Sequence, residues 1–114
     1  MTGNEYQHNI AEFPSDYPIE LGTFATILGM NRELGQLSNE MLKILRKDKA
    51  VITDDEKELI SIYLGRILFY LARSAEHCGL NLDTVMQNNV LRMEHERNVK
   101  FLMNKDMFRP MNKK

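Results

Sequence analysis

Between Ile52 and Leu82 the chain reads ITDDEKELISIYLGRILFYLARSAEHCGLNL, a helix with its own start and stop signals and almost no polar side. Thr53 followed by Glu56 is the capping-box pattern, in which the threonine hydroxyl accepts from the third helical amide and the glutamate reaches back to the cap. The helix is therefore expected to start near Asp54. It is expected to stop near Cys78, because Gly79 can take the left-handed conformation that closes a helix and His77 suits the negative end of the dipole. Between those ends Ile60, Tyr63, Leu64, Ile67, Leu68, Leu71 and Ala75 recur at helical spacing, and Ile62, Phe69 and Tyr70 carry the apolar surface round the other side. A helix apolar nearly all round is a buried one. In a chain of 114 residues that makes it the central helix of a bundle, or half of a subunit interface, with the rest packed against it.

The remaining segments supply the other helices of an all-α, four-helix bundle. A short helix over Asn4 to Phe13 puts Tyr6, Ile10 and Phe13 on one side, and Pro14 to Pro18 is an ordered turn. A second helix follows from Leu21 to Arg46, with Ile27, Met30, Leu34, Leu37, Met41, Ile44 and Leu45 spaced by three and four. Gly29 and Gly35 interrupt it, which predicts a bend or the close approach of a neighbour. Lys43, Arg46, Lys47 and Lys49 gather at its carboxyl end, where cations suit the dipole. Gly79 to Leu82 is a short link with Asn81 as a cap, opening a fourth helix whose Val85, Met86, Val90 and Met93 predict one buried side. From Arg97 the chain becomes polar and basic. Residues 1–104 thus read as one domain and 105–114 as a loose basic tail, although Val99, Phe101, Leu102, Met107 and Phe108 are apolar enough to dock on a partner.

Composition narrows the function classes. With 15 Lys plus Arg against 16 Asp plus Glu, no net charge draws the chain to nucleic acid or to a membrane surface, and neither partner is expected. The start, MTGNEYQHN, has no basic segment leading into an apolar one, and the apolar run from Ile67 to Ala72 is far too short to span a bilayer, so a soluble cytoplasmic protein is expected. The one cysteine, Cys78, reads as a small core residue. His8, His77 and His95 have no spacing that sets two on one helical face, so no zinc ligand set is predicted. No phosphate-binding glycine loop or nucleophile triad is present.

The order of the pieces resembles the MazG-like branch of the all-α nucleoside triphosphate pyrophosphohydrolases, over Tyr6 to Glu96. The likeness is carried by NEYQ at the start, Tyr17 and Pro18, LGMNRELGQLSNEMLKILR from Leu28 to Arg46, DDEKEL, YLGRILFYLARSAEHCGLNLDTV from Tyr63 to Val85, and Asn89. It implies a homodimer or homotetramer of helical subunits that hydrolyses nucleoside triphosphates to monophosphate and pyrophosphate, with magnesium held by carboxylates of the two central helices. Magnesium requires hard oxygen ligands in octahedral geometry, and helical carboxylates three or four residues apart supply them from one face.

The ligand positions that the resemblance implies are mostly substituted. The first family glutamate falls on Glu33, but the following acidic positions fall on Gln36 and Asn39, with Glu40 adjacent, and the Glu and Asp of the central helix fall on Tyr63 and Arg66. Gln36 and Asn39 keep a carbonyl oxygen without charge, Tyr63 is a poor magnesium ligand at neutral pH, and Arg66 brings a permanent cation into the metal site. Arg66 is expected to meet Glu33 in a buried pair, with Gln36, Asn39 and Tyr63 taking up the remaining donors and acceptors. The chain therefore reads as a catalytically degenerate family member, a binding or regulatory module with no cofactor expected. Nucleotide is a candidate ligand, as is a protein partner. By the same resemblance Asn89 and Arg92 are candidates to hold nucleotide, and Lys43, Arg46 and Lys47 to meet phosphate. The alternative is a weak magnesium-dependent pyrophosphohydrolase that completes its metal site from Glu33, Glu40 and another subunit's carboxylates, with Glu94 and Glu96 as the donors.

Overall fold

Two helices of 24 residues each, α2 (Gly22–Leu45) and α3 (Asp54–His77), lie side by side and form the spine of the chain. They are flanked by α1 (Gly3–Ile10), by a 3₁₀ turn at Ile19–Leu21, and by α4 (Leu82–Met107). The computed structural model describes residues 1–15 and 17–107. Among them every regular element is helical, so the chain is all-α. No described helix is long and apolar enough to cross a membrane.

The ends of α3 form as their local sequence dictates. Thr53 Oγ1 accepts from the Glu56 amide at 3.2 Å while Glu56 Oε1 accepts from the Thr53 amide at 2.9 Å, which closes the capping box. Glu56 also receives Lys47 Nζ at 2.7 Å across the α2–α3 connection, and that bond, ahead of the Thr53 amide, holds its carboxyl below the ordinary glutamate value. At the other end Gly79 has φ 69°. The Leu80 amide reaches back to Ala75 O at 2.7 Å and the Gly79 amide to Glu76 O at 2.9 Å, a Schellman closure of the last turn.

The antiparallel register of α2 and α3 shows in side-chain pairs spaced along their length. His77 lies against Gly22, Ser74 Oγ is 2.8 Å from Thr26 Oγ1, Tyr70 covers Gly29, Arg66 faces Glu33, and Lys47 meets Glu56. The residues of α2 buried on this seam are Gly22, Thr26, Gly29, Glu33, Leu37 and Ile44, mostly small or polar. Much of the expected apolar stripe is instead turned to one flank, with Ile27, Leu34 and Leu45 about half exposed or more. Small residues let the two backbones approach, and the larger ones follow the outside of the groove. A β-carbon on Gly29 would stand 2.7 Å from Tyr70 Cε1, whereas one on Gly35 would meet nothing within 4 Å. The close approach expected at both glycines is thus found only at Gly29, and there against an aromatic ring. Gly29→Ala is expected to cost about 1–3 kcal/mol by overpacking, and Gly35→Ala to gain about 0.5–1 kcal/mol through helix propensity. Urea denaturation of the two variants measures the opposite signs.

Apart from the 3₁₀ turn against α2, packing beyond these two helices gathers on α3 from Leu68 onward. Ile10 of α1, Ala72 and Leu82 make the buried cluster, with Tyr6 and Phe69 against it, and burial raises the Tyr6 hydroxyl pKa. Polar bonds fix α1 beside the start of α4. Gln7 Oε1 accepts from the Leu82 amide at 2.9 Å, Asn4 Oδ1 from the Asp83 amide at 3.1 Å, and Asp83 Oδ1 from the Gly3 amide at 2.8 Å. Asn81 caps α4 as its sequence predicts, accepting from the Thr84 amide at 3.1 Å. A second capping box, Thr2 with Glu5, starts α1.

Several expectations are corrected by this arrangement. Helix α1 stops at Ile10 rather than Phe13, and Phe13 is exposed, because Arg73 of α3 takes the carbonyls of Ile10 and Phe13 and turns the chain there. Only Ala72, Arg73 and Ala75 of α3 are buried, while Ile62 and Leu64 are open, since α1 and α4 meet α3 only from Leu68 onward, and Leu68 at that edge is itself 42% exposed. Cys78 is exposed, not a core residue, because it sits at the cap beyond the last turn. Met86, Val90 and Met93 are exposed on α4, which leaves the other helices after Met86 at the edge of α1 and stays helical through Met107. Val99, Phe101 and Leu102 are exposed on that extension. Phe108 and the rest of the expected tail lie outside the described residues. The result is elongated, 65 × 46 × 27 Å with a radius of gyration of 20.2 Å, where a compact chain of this length measures about 13 Å. Its accessible surface is 9473 Å², about 3,000 Å² more than a compact monomer of this mass exposes.

Candidate functional site

Of the ligand positions that the resemblance implies, Glu33 of α2 meets Arg66 of α3 at mid-seam, with Tyr63 beneath the guanidinium. Their register follows from the close contact of Gly29 with Tyr70 one turn away. Glu33 is held by the walls of both helices, its side chain 11% exposed, with Oε2 buried and without a hydrogen-bond partner. Two guanidinia stand beside it. Arg66 Nη1 is 3.8 Å from Oε2, and Arg32 Nη2 is 3.8 Å from Oε1. Arg66 lies over the Tyr63 ring, 5.5 Å from its centroid, and Arg32 Nη2 donates to the Tyr70 hydroxyl at 2.9 Å.

The expected pairing of Arg66 with Glu33 is therefore present, but its surroundings differ from the closed polar pocket that the sequence suggests. Arg66 is 55% exposed and Arg32 60% exposed. Gln36 and Asn39 are both exposed, Gln36 about 60° and Asn39 about 120° from Glu33 round the helix axis. Among the described residues nothing covers this level of the two helices, and the water side of the site is open there. At that exposure and distance each ion pair is worth about 1 kcal/mol or less.

The second acidic candidate stands apart from the first. Glu40 is two turns beyond Glu33 and engages Lys43 at 3.3 Å. Glu94 and Glu96 are exposed on α4. Among the described residues no three His, Cys, Asp or Glu side chains converge within one chain.

The residues expected to meet phosphate and nucleotide do not come together either. Lys47 is spent on Glu56, Lys43 on Glu40, and Arg46 is exposed at the cap of α2. Asn89 and Arg92 line a shallow surface cavity of about 360 Å³ with Leu80, Asn81, Thr84, Val85 and Asn88. The lysine cluster sits by the first turn of α3 and this cavity just past its last, and a helix of that length is about 36 Å long.

Two further arginines, Arg32 and Arg73, make contacts that their local sequence does not announce. Arg32 adjoins Glu33 in the chain, and adjacency round a helix gives little reason to expect contact. Arg73 is buried, with Nη2 donating to Ile10 O at 2.8 Å and to Phe13 O, Nη1 3.4 Å from Ser15 Oγ, and Phe69 packed under its guanidinium. A charge inside an otherwise apolar stretch was the available signal, because a buried cation requires partners. His77 is a further polar contact, its Nε2 lying 3.2 Å from the Tyr17 hydroxyl.

No family model matches this chain, and no solved structure matches it. It is similar to the Gene 37 protein of Mycobacterium phage L5, with 31% identity over 67 residues, 59% of this chain and 59% of that protein. The chain thus matches about three fifths of that relative's length.

Proposed function

We propose that this is a MazG-like helical protein without the family's metal-dependent hydrolysis, acting as an oligomeric binding or regulatory module. The observation that carries the reading is at mid-seam, where the single carboxylate, Glu33, has Arg66 and Arg32 each 3.8 Å from its oxygens. A divalent cation there would have to displace two permanent positive charges and would gain one carboxylate ligand, where the family's chemistry uses several. Gln36, Asn39 and Tyr63 add no negative charge.

The oligomer is part of the same reading. At about 100° per residue, Ile27, Leu34, Met41 and Leu45 share one flank of α2, and Leu64 and Leu71 share the matching flank of α3. All six are open to solvent. The surplus of accessible surface, about 3,000 Å² per chain, exceeds the roughly 800 Å² per partner of an ordinary stable interface. A second copy laid flank to flank would turn two hairpins into a four-helix bundle, and a tetramer adds the apolar residues of α4.

Incubation of the full chain with a panel of nucleoside triphosphates and magnesium, with pyrophosphate as the readout, tests the loss of catalysis. No release above the uncatalysed background is expected. Turnover that disappears in Glu33→Gln would overturn the reading in favour of an active enzyme whose site is completed between subunits.

A further inference from the structure

We infer that Arg32 and Arg66 form a metal-independent site for the oxyanions of a phosphate chain on the polar flank of the α2–α3 pair. Both guanidinia lie 3.8 Å from the Glu33 oxygens, beyond hydrogen-bond reach. Arg32 spends one donor on Tyr70, and Arg66 makes no hydrogen bond among the described residues. An arginine has five N–H donors in a fixed fork, so nearly all of this capacity is unused. The two forks are more than half exposed, and the Tyr63 and Tyr70 rings lie 5.5 and 5.9 Å from them, limiting how far each can swing.

Charge and shape select the ligand. Two guanidinia against one carboxylate leave a net positive charge at the seam, and forks that straddle both oxygens of Glu33 match oxygens spread along a di- or triphosphate better than one compact anion. Gln36, exposed on the same flank, offers a neutral donor. The apolar residues proposed for the subunit contact lie on the opposite flank, so association leaves this side open. The inference deepens the functional reading and rests on it only for the phosphate chain's being that of a nucleotide. The oxyanion contact itself rests on the two arginines.

Calorimetric titration of the full chain with sodium tripolyphosphate in EDTA tests it, with ATP in EDTA as a second arm. Saturable binding is expected, weakened about tenfold in Arg66→Gln or, if that variant does not fold, in Arg32→Gln, and unchanged in Lys57→Gln at the far end of α3. Glu33→Gln is expected to bind several-fold tighter, because it frees both guanidinia, which a purely structural role for the carboxylate would not produce. Equal affinity for the two ligands assigns the contact to the phosphates alone, and tighter ATP binding adds a nucleoside contact, both in support. Absence of saturable binding, binding indifferent to the arginine variants, or failure of Glu33→Gln to tighten it overturns the inference. Pyrophosphate release with magnesium would instead overturn the pseudoenzyme reading, so the two failures are distinguishable.

Discussion

Replacing Arg73 by methionine is expected to lower the free energy of unfolding by about 2–4 kcal/mol, read as a fall in the urea midpoint at unchanged slope. Methionine keeps most of the buried volume and removes a charge from the interior, which by itself favours folding. Against that stands the loss of donors. Ile10 O retains the Phe13 amide at 3.1 Å, but Phe13 O and Ser15 Oγ lose the guanidinium that holds them to α3. An acceptor orphaned at these part-buried positions costs about 1 kcal/mol, the low end of the range for a lost partner, and undocking of the α1–α2 link adds to it. The cation is met by carbonyls and by the face of Phe69, while its Nε is buried without a partner, so its removal recovers only part of what the clamp provides. Arg73→Lys, with a single ammonium in place of the fork, should fall between the two. A change below about 0.5 kcal/mol in the methionine variant, the range of ordinary surface substitutions, would mean that the clamp carries no stability.

The second large effect belongs to the apolar flank. Leu34→Glu is expected to convert the proposed dimer to a monomer at micromolar concentration, observed by sedimentation velocity, with helicity preserved. Leu34 is half exposed in the single chain, so the glutamate is tolerated there. In a twofold interface it would meet its own copy or apolar neighbours, and the substitution acts twice per dimer. About 3 kcal/mol of lost association, a modest value for an unpaired charge in an apolar contact, weakens the dissociation constant by roughly 150-fold. Wild-type protein sedimenting as a monomer would remove the dimer from the reading altogether.

The features legible in the sequence were those encoded within a few consecutive residues. Thr53 with Glu56, Gly79 after Cys78, and Asn81 before α4 each specify a backbone geometry through their own hydrogen bonds, and the structure has all three. The face that each helix buries was less legible. A three-and-four spacing fits several angular sets on α2, and the seam uses the set built on Gly22, Thr26, Gly29 and Glu33 because small residues permit close approach. The meeting of Glu33 and Arg66 is expected from the spacing of the family that the chain resembles, whereas Arg32 enters only through the tertiary register. The exposure of α3 was misjudged because the rule that apolar helices are buried does not say whether the cover comes from the same chain.

The joint between α1 and α4 bears on how this chain is made. The first two amides of α4 are satisfied by Gln7 and Asn4, and the Gly3 amide by Asp83, contacts that span 75 to 80 residues. On a ribosome α1 leaves before its partners, and its docking is incomplete until both the end of α3 and the start of α4 have emerged. Long-range closure of that kind slows folding relative to a local helical hairpin, so α2 and α3 are expected to zip early and the chain's beginning to settle last. Helix α1 is thus made before the hairpin and is among the last elements to become structured, and until then the apolar surface of the hairpin is the one a newly made chain presents to its surroundings.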